Sequence, residues 1–173
     1  MLVEKYAQEI QSILSKYPPG QHRSAVMSLI YLAQREKMYI DRDDMAEIAD
    51  ILGITVTEVA SIVGFYSLYY DHPEGIYHIQ VCVDLPCALR GSEQFLAELC
   101  TRLGIKPGET TSDGLVKVEP VMCLAACDRA PMFQLQSAEG LTYFESQTVE
   151  SALNLIDQLR MDVARMRRRG GYD

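Results

Sequence analysis

Hydrophobic periodicity changes once along this 173-residue chain, at the turn-rich pentapeptide Asp71-His72-Pro73-Glu74-Gly75. Before it, apolar residues recur every three or four positions, as on one face of a helix. After it they alternate, as along a strand. A chain written in two periods predicts an α+β protein, helical first and mixed with a sheet second. The pentapeptide is the predicted boundary. Residues 1–72 are the expected helical domain, 73–162 the expected sheet-containing domain, and 163–173 an Arg-rich tail. With 48% hydrophobic and 23% charged residues, such a chain buries a real core and is not disordered.

In the first part Leu2, Tyr6, Ile10, Ile13, Leu14 and Tyr17 share one helix face, stopped by Pro18-Pro19-Gly20. Ser24 opens a second helix carrying Val26, Leu29, Ile30, Leu32 and Ala33. Asp41 is a cap for a third, which Gly53 ends. Thr55 or Thr57 caps a fourth, with Glu58 completing a capping box to Thr55. Four short helices predict a small bundle. In the second part, strands are expected over 76–83 and 115–121, a helix over 91–103, a hairpin around Ala138-Glu139-Gly140, and a closing helix over 148–166. The order β-α-β-β-β-α describes a small mixed layer fold.

The formal charge of -8 excludes a general nucleic-acid surface. Residues 165–173 carry +3, so the rest carries -11. That end is either a solvated helix terminus or a basic tail for an acidic neighbour. No uncharged run, 24–34 among them, is long enough to span a bilayer. No basic stretch followed by an apolar one opens the chain, so no secretory signal is expected. Its five cysteines therefore point to metal or redox chemistry before disulfides.

Cys82 and Cys87 are spaced C-x4-C, and Cys123 and Cys127 C-x3-C, with 35 residues between the pairs. Each pair follows a predicted strand, so adjacent strand ends could gather all four at one edge of the sheet. A structural zinc site favours C-x2-C knuckles, which present two thiolates to one ion from a tight turn. A two-iron cluster needs two thiolates per iron and suits wider loops. Residues five apart lie about 140° around a helix, so Cys82 and Cys87 are expected on a loop, with Pro86 pushing Leu85 toward an extended conformation. A thioredoxin-type C-x-x-C is absent, which leaves thiol exchange as a weaker alternative. Cys100, beside Leu96 and Leu99, reads as a small buried hydrophobe. No dinucleotide or P-loop glycine motif is present, and His22, His72 and His78 form no catalytic pattern. No catalytic residue is assigned.

The segments Cys82-Val-Asp-Leu-Pro-Cys87-Ala-Leu-Arg-Gly91 and Cys123-Leu-Ala-Ala-Cys127-Asp-Arg-Ala-Pro131 resemble the thioredoxin-like [2Fe–2S] ferredoxin family, and within it the 24-kDa-type subunits of respiratory complex I. Tyr17-Pro-Pro-Gly, Ala33-Gln-Arg-Glu, Ala49-Asp-Ile-Leu-Gly and Gly64-Phe-Tyr-Ser-Leu-Tyr are similar to the helical region of those subunits. The resemblance covers about residues 1–160. It implies a thioredoxin-like mixed sheet and a [2Fe–2S] cluster, with Cys82 and Cys87 on one iron and Cys123 and Cys127 on the other. Ala125 stands where the family commonly has Gly, and Met122 where an acidic residue is common.

The resemblance further implies an electron-carrier subunit of an NADH:quinone oxidoreductase with no substrate site of its own. Its partners would be a flavoprotein subunit holding FMN and NADH and other peripheral-arm subunits, on the cytoplasmic side of a membrane-bound complex. The matching subunit of an NAD-linked hydrogenase or formate dehydrogenase module is the nearest alternative. A structural zinc protein held by the four cysteines is one of another class. Asp84 and Asp128 would lower the cluster's potential and Arg90 and Arg129 raise it, unless they are ordinary solvated loop charges. The backbone N–H groups of Leu85, Ala88, Leu124 and Ala126 are candidates for bonds to sulfur. Phe65, Tyr66, Tyr69 and Tyr70 are either interface anchors or bundle core.

Overall fold

The structure, a computed structural model, describes residues 2–168 as two units, 2–74 and 75–168. In the first, α1 (Leu2–Leu14), α2 (Val26–Lys37), α3 (Arg42–Leu52) and α4 (Val56–Phe65) pack around Leu29, Ile30, Ile40, Ile48 and Val59, all fully buried. The expected capping box at Thr55 forms, and Asp41, expected as a cap, forms one with Asp44 as well. The Asp41 carboxylate accepts from Asp43 and Asp44 N–H at 3.0 Å, and Asp44 accepts from Asp41 N–H in return. Thr55 and Glu58 do the same for α4. The start of α1 is capped from another helix, because Glu47 of α3 accepts from Leu2 and Val3 N–H at 2.6 and 2.8 Å.

Two helix boundaries differ from expectation. α1 ends at Leu14, short of Tyr17, since a residue before proline is driven from the helical region. Ser24 lies in a 3-10 turn, His22–Ala25, that precedes α2. The four aromatics divide. Tyr70 is buried, with its N–H on Gln34 Oε1 and its carbonyl accepting from Ile40, whereas Phe65 is 79% exposed.

The second unit holds β1 (Tyr77–Cys82), the helical turn α5 (Leu85–Ala88), α6 (Ser92–Leu103), β2 (Val116–Val121), β3 (Phe133–Ser137), β4 (Gly140–Phe144) and α7 (Val149–Arg168). The sheet order is β2-β1-β3-β4; β1 and β2 run parallel and the other neighbours antiparallel. α7 runs to Arg168, two residues past the expected helix end at 166 and into the stretch expected as an Arg-rich tail. Residues 169–173 lie outside the described residues.

Register decides which side chain faces where. Ile79 and Val81 pair with Val118, Leu135 and Phe133 on one face, which packs on Phe95 and Leu99 of α6 and Ala152 and Ile156 of α7. Alternation puts His78, Gln80 and Cys82 of β1 on the opposite face, with Lys117 and Glu119 of β2 and Gln134 and Gln136 of β3. That polar face is largely buried as well, with His78 at 0% and Gln80 at 1% exposure. Among the described residues no single helix is long and apolar enough to cross a membrane.

Candidate metal centre

Parallel pairing decides where the cysteines meet. Because β1 and β2 run the same way, their C-terminal ends lie side by side, with Cys82 opposite Val121. The chain leaving β1 turns through α5 to Cys87; the chain leaving β2 passes Cys123 to Cys127, which opens a 3-10 turn, Cys127–Arg129. Cys82 N–H donates to Met132 O at 3.3 Å and Val83 N–H to Val121 O at 2.9 Å, so both loops emerge from one sheet edge.

The four thiols lie together. Cys82, Cys87 and Cys127 pack in one cluster with Ala130 and Met132, and Cys123 is near enough to Cys127 to raise its thiol. All four are reduced, and none is in a disulfide. Cys82 and Cys87 are buried together with Ala130 and Met132, Cys127 is half-buried and Cys123 is exposed. Burial first, then the neighbouring sulfurs, pushes the Cys87 thiol up to about 12; the same causes raise Cys127. Four thiolates so close cannot coexist without compensating positive charge, which a metal core would supply. Among the described residues no group of three or more His, Cys, Asp or Glu side chains is arranged to hold a metal ion. Four cysteines, two from each loop, are the number of ligands that a two-iron core needs.

Local geometry departs from expectation at the first loop. Cys82 ends a strand and Cys87 lies in a helical turn, not in irregular loop. Leu85 opens that turn and is not extended; Asp84 is the extended residue, and its carboxylate caps the turn by accepting from Leu85 N–H at 2.9 Å. Proline is tolerated in the first helical turn, where its missing N–H has no partner to lose. Ala88 N–H donates to Asp84 O, so neither Leu85 nor Ala88 gives its N–H to sulfur.

In the second loop, Ala125 N–H donates to Cys123 Sγ at 3.4 Å. Ala125 has φ of 59°, in the left-handed region, at a cost of about 1 kcal/mol relative to glycine. This is the position where the family commonly has Gly. The Ala130–Pro131 bond is cis. Three contacts that the sequence did not disclose hold the loops together. Arg90 Nε donates to Ala130 O at 3.4 Å, from the first loop to the second. Ser146 N–H donates to Arg129 O and Gln147 N–H to Pro131 O, at 2.6 and 2.7 Å, from the segment before α7.

The loop charges are mostly outside the site. Asp128 and Arg129 are exposed and pair with each other at 3.3 Å, so their fields largely cancel and are screened. Cys100 is buried in the apolar core of the second unit, where burial pushes its thiol up to about 11. It is not among the four cysteines of the two loops.

Comparison with known proteins agrees with this geometry. Residues 10–160 match the thioredoxin-like [2Fe-2S] ferredoxin family. The chain is 43% identical over 126 residues to NADH-quinone oxidoreductase subunit 2 of Thermus thermophilus, covering 73% of this chain and 70% of that one. It is 36% identical over 162 residues to the NADH-quinone oxidoreductase E subunit of Mycobacterium bovis, covering 94% of this chain and 62% of the relative. In fold it is similar to a chain of an NAD+-reducing [NiFe]-hydrogenase, with a TM-score of 0.65 over 79% of this chain and 23% of that one, at 19% identity. From the match over most of its length, and the relatives it shares that length with, the chain belongs to the thioredoxin-like [2Fe–2S] ferredoxin family, alongside the E subunits of NADH-quinone oxidoreductases.

Proposed function

We propose that this chain is the [2Fe–2S] electron-transfer subunit of the NADH-oxidising part of an NADH-quinone oxidoreductase, with Cys82 and Cys87 on one iron and Cys123 and Cys127 on the other. The observation that carries the proposal is the gathering of four cysteines where the parallel strands β1 and β2 end side by side, with Cys82, Cys87 and Cys127 packed in one cluster. When bound, such a cluster stores and releases one electron. The chain's own residues hold it: Cys82, Cys87, Ala130 and Met132 form its dry side, and exposed Cys123 leaves the other side open to a partner. That partner is a flavoprotein subunit binding FMN and NADH, in the peripheral arm on the cytoplasmic side of the complex. Similarity at 36–43% identity to NADH-quinone oxidoreductase subunits favours this setting over a hydrogenase module, for which the likeness is one of fold alone.

Metal analysis of the full chain, purified without oxygen, tests the proposal. Two irons and two acid-labile sulfides per chain are expected, with an EPR signal appearing on dithionite reduction. One zinc and no sulfide overturns it.

Three large apolar side chains stand exposed on the cysteine loops: Leu85 at 69%, Leu89 at 80% and Met122 at 73%. Exposed apolar groups clustered beside a redox centre suit a protein contact. Leu89→Glu is expected to leave iron content and EPR signal intact and to weaken co-purification with the flavoprotein subunit about tenfold or more. Unchanged co-purification removes this rim from the interface.

A further inference from the structure

One buried charged pair lies beside the cysteines and plays no part in holding them. On the polar face of the sheet, Lys117 Nζ and Glu119 Oε2 are 3.4 Å apart, with side chains only 10% and 19% exposed. Gln80 Nε2 donates to Glu119 Oε1 at 2.9 Å, and Gln134 Nε2 donates to Gln80 Oε1. The row therefore runs across β2, β1 and β3. Gln80 is two residues before Cys82 and on the same face of β1. Glu119 pairs with Gln80, so its Cα is roughly 8 Å from that of Cys82, counted from strand rise and spacing. Lys117 pairs with His78, one further repeat away.

We infer that the Lys117–Glu119 ion pair, held in place by Gln80 and Gln134, sets the reduction potential of the centre on Cys82. The inference rests on the function proposed above. Its physical basis is the added electron. Reduction places one more negative charge on the metal centre, and a carboxylate held close in a low-dielectric interior opposes it more than any exposed loop charge does. By register Glu119 is the nearer residue of the pair to Cys82 and Lys117 the farther, so the carboxylate acts on the centre more strongly than the ammonium does. Buried ion pairs add little stability once desolvation is counted. What this pair fixes is the local field, and the two amides fix the orientation of the carboxylate. Asp84, Asp128, Arg90 and Arg129 are closer in sequence to the cysteines, but they are unchanged in both variants below and drop out of the comparison, and Asp128 and Arg129 also pair in solvent.

Two variants of the full chain test the inference by EPR-monitored redox titration. Glu119→Gln keeps an oxygen to accept from Gln80 and removes the charge. It is expected to favour reduction about tenfold, an upward shift of 59 mV for a one-electron couple. Lys117→Met keeps the length of the side chain and removes the positive charge that offsets Glu119. It is expected to shift the potential downward. A merely structural role moves both variants the same way, or broadens the signal without separating them. Shifts of opposite sign with unchanged EPR line shape therefore support the inference. Potentials that stay within the scatter of the unmodified chain, or move together, overturn it while leaving the cluster assignment standing. Absence of any [2Fe–2S] signal from the unmodified chain defeats the proposed function itself.

Discussion

Cys87→Ser and Cys127→Ser each lose the iron–sulfur centre or weaken it severely, whereas Cys100→Ser leaves it intact. This is the expected result of substituting each cysteine in turn and measuring iron, acid-labile sulfide and visible absorbance. Cys87 and Cys127 come from different loops and pack in one cluster with Cys82. On the pairing proposed above, removing either takes a ligand from a different iron and leaves that iron with one thiolate where two are needed. Serine restores a polar oxygen at 87 but places it in a buried, apolar pocket with Met132 and Ala130, where an oxygen without a metal is costly. Cys123→Ser sits at the exposed end and is expected to give a weakened centre, lost on dilution or chelation. Cys100 is on α6, packed into the apolar core, and its replacement costs stability only. Loss of the centre in Cys100→Ser, with retention in Cys87→Ser, means that the wrong four sulfurs have been assigned.

Much of this architecture is written in local sequence signals. Asp41 with Asp44, and Thr55 with Glu58, are short-range capping pairs, so the starts of α3 and α4 are legible without any tertiary contact. The approach of the two cysteine pairs is legible too, because both follow strands. That β1 and β2 are parallel neighbours supplies the rest. The first loop is harder to read, because Pro86 bears on the backbone of Leu85 while the carboxylate of Asp84, acting from the other side, commits the turn to helix. The Phe65–Tyr70 run cannot be divided from sequence, since neighbouring aromatics differ only in which tertiary partner reaches them. Gln34 captures Tyr70, and Phe65 points outward. Hidden most completely is the polar face of the sheet. Alternating His78-Ile79-Gln80-Val81 reads as a strand with one wet side, and nothing in that pattern says that Gln80 and Gln134 are buried together.

Phe133→Ala is expected to produce the largest loss of stability in the second unit. Phe133 is fully buried at the start of β3, with Phe144 stacked at 5.1 Å and Phe95 at 6.3 Å. Truncation removes apolar area and leaves a cavity that rigid neighbours cannot fill, at a cost of about 3–5 kcal/mol. A unit of this size is stable by only about 5–15 kcal/mol, so its melting temperature should fall by about 15–30 °C. Circular dichroism of the cluster-loaded chain would measure it, and a fall of only a few degrees means the apolar face is not organised around this ring. The redox titration of the same variant gives the sharper contrast. Phe133 points to the face of the sheet opposite Cys82, Gln80 and Glu119. In the fraction that remains folded, the potential should therefore match that of the unmodified chain, whereas Glu119→Gln moves it. One sheet then carries two separable properties, cohesion from its apolar side and the field at the cysteines from its polar side. Because neighbouring residues on each strand face opposite ways, single substitutions can alter one without the other.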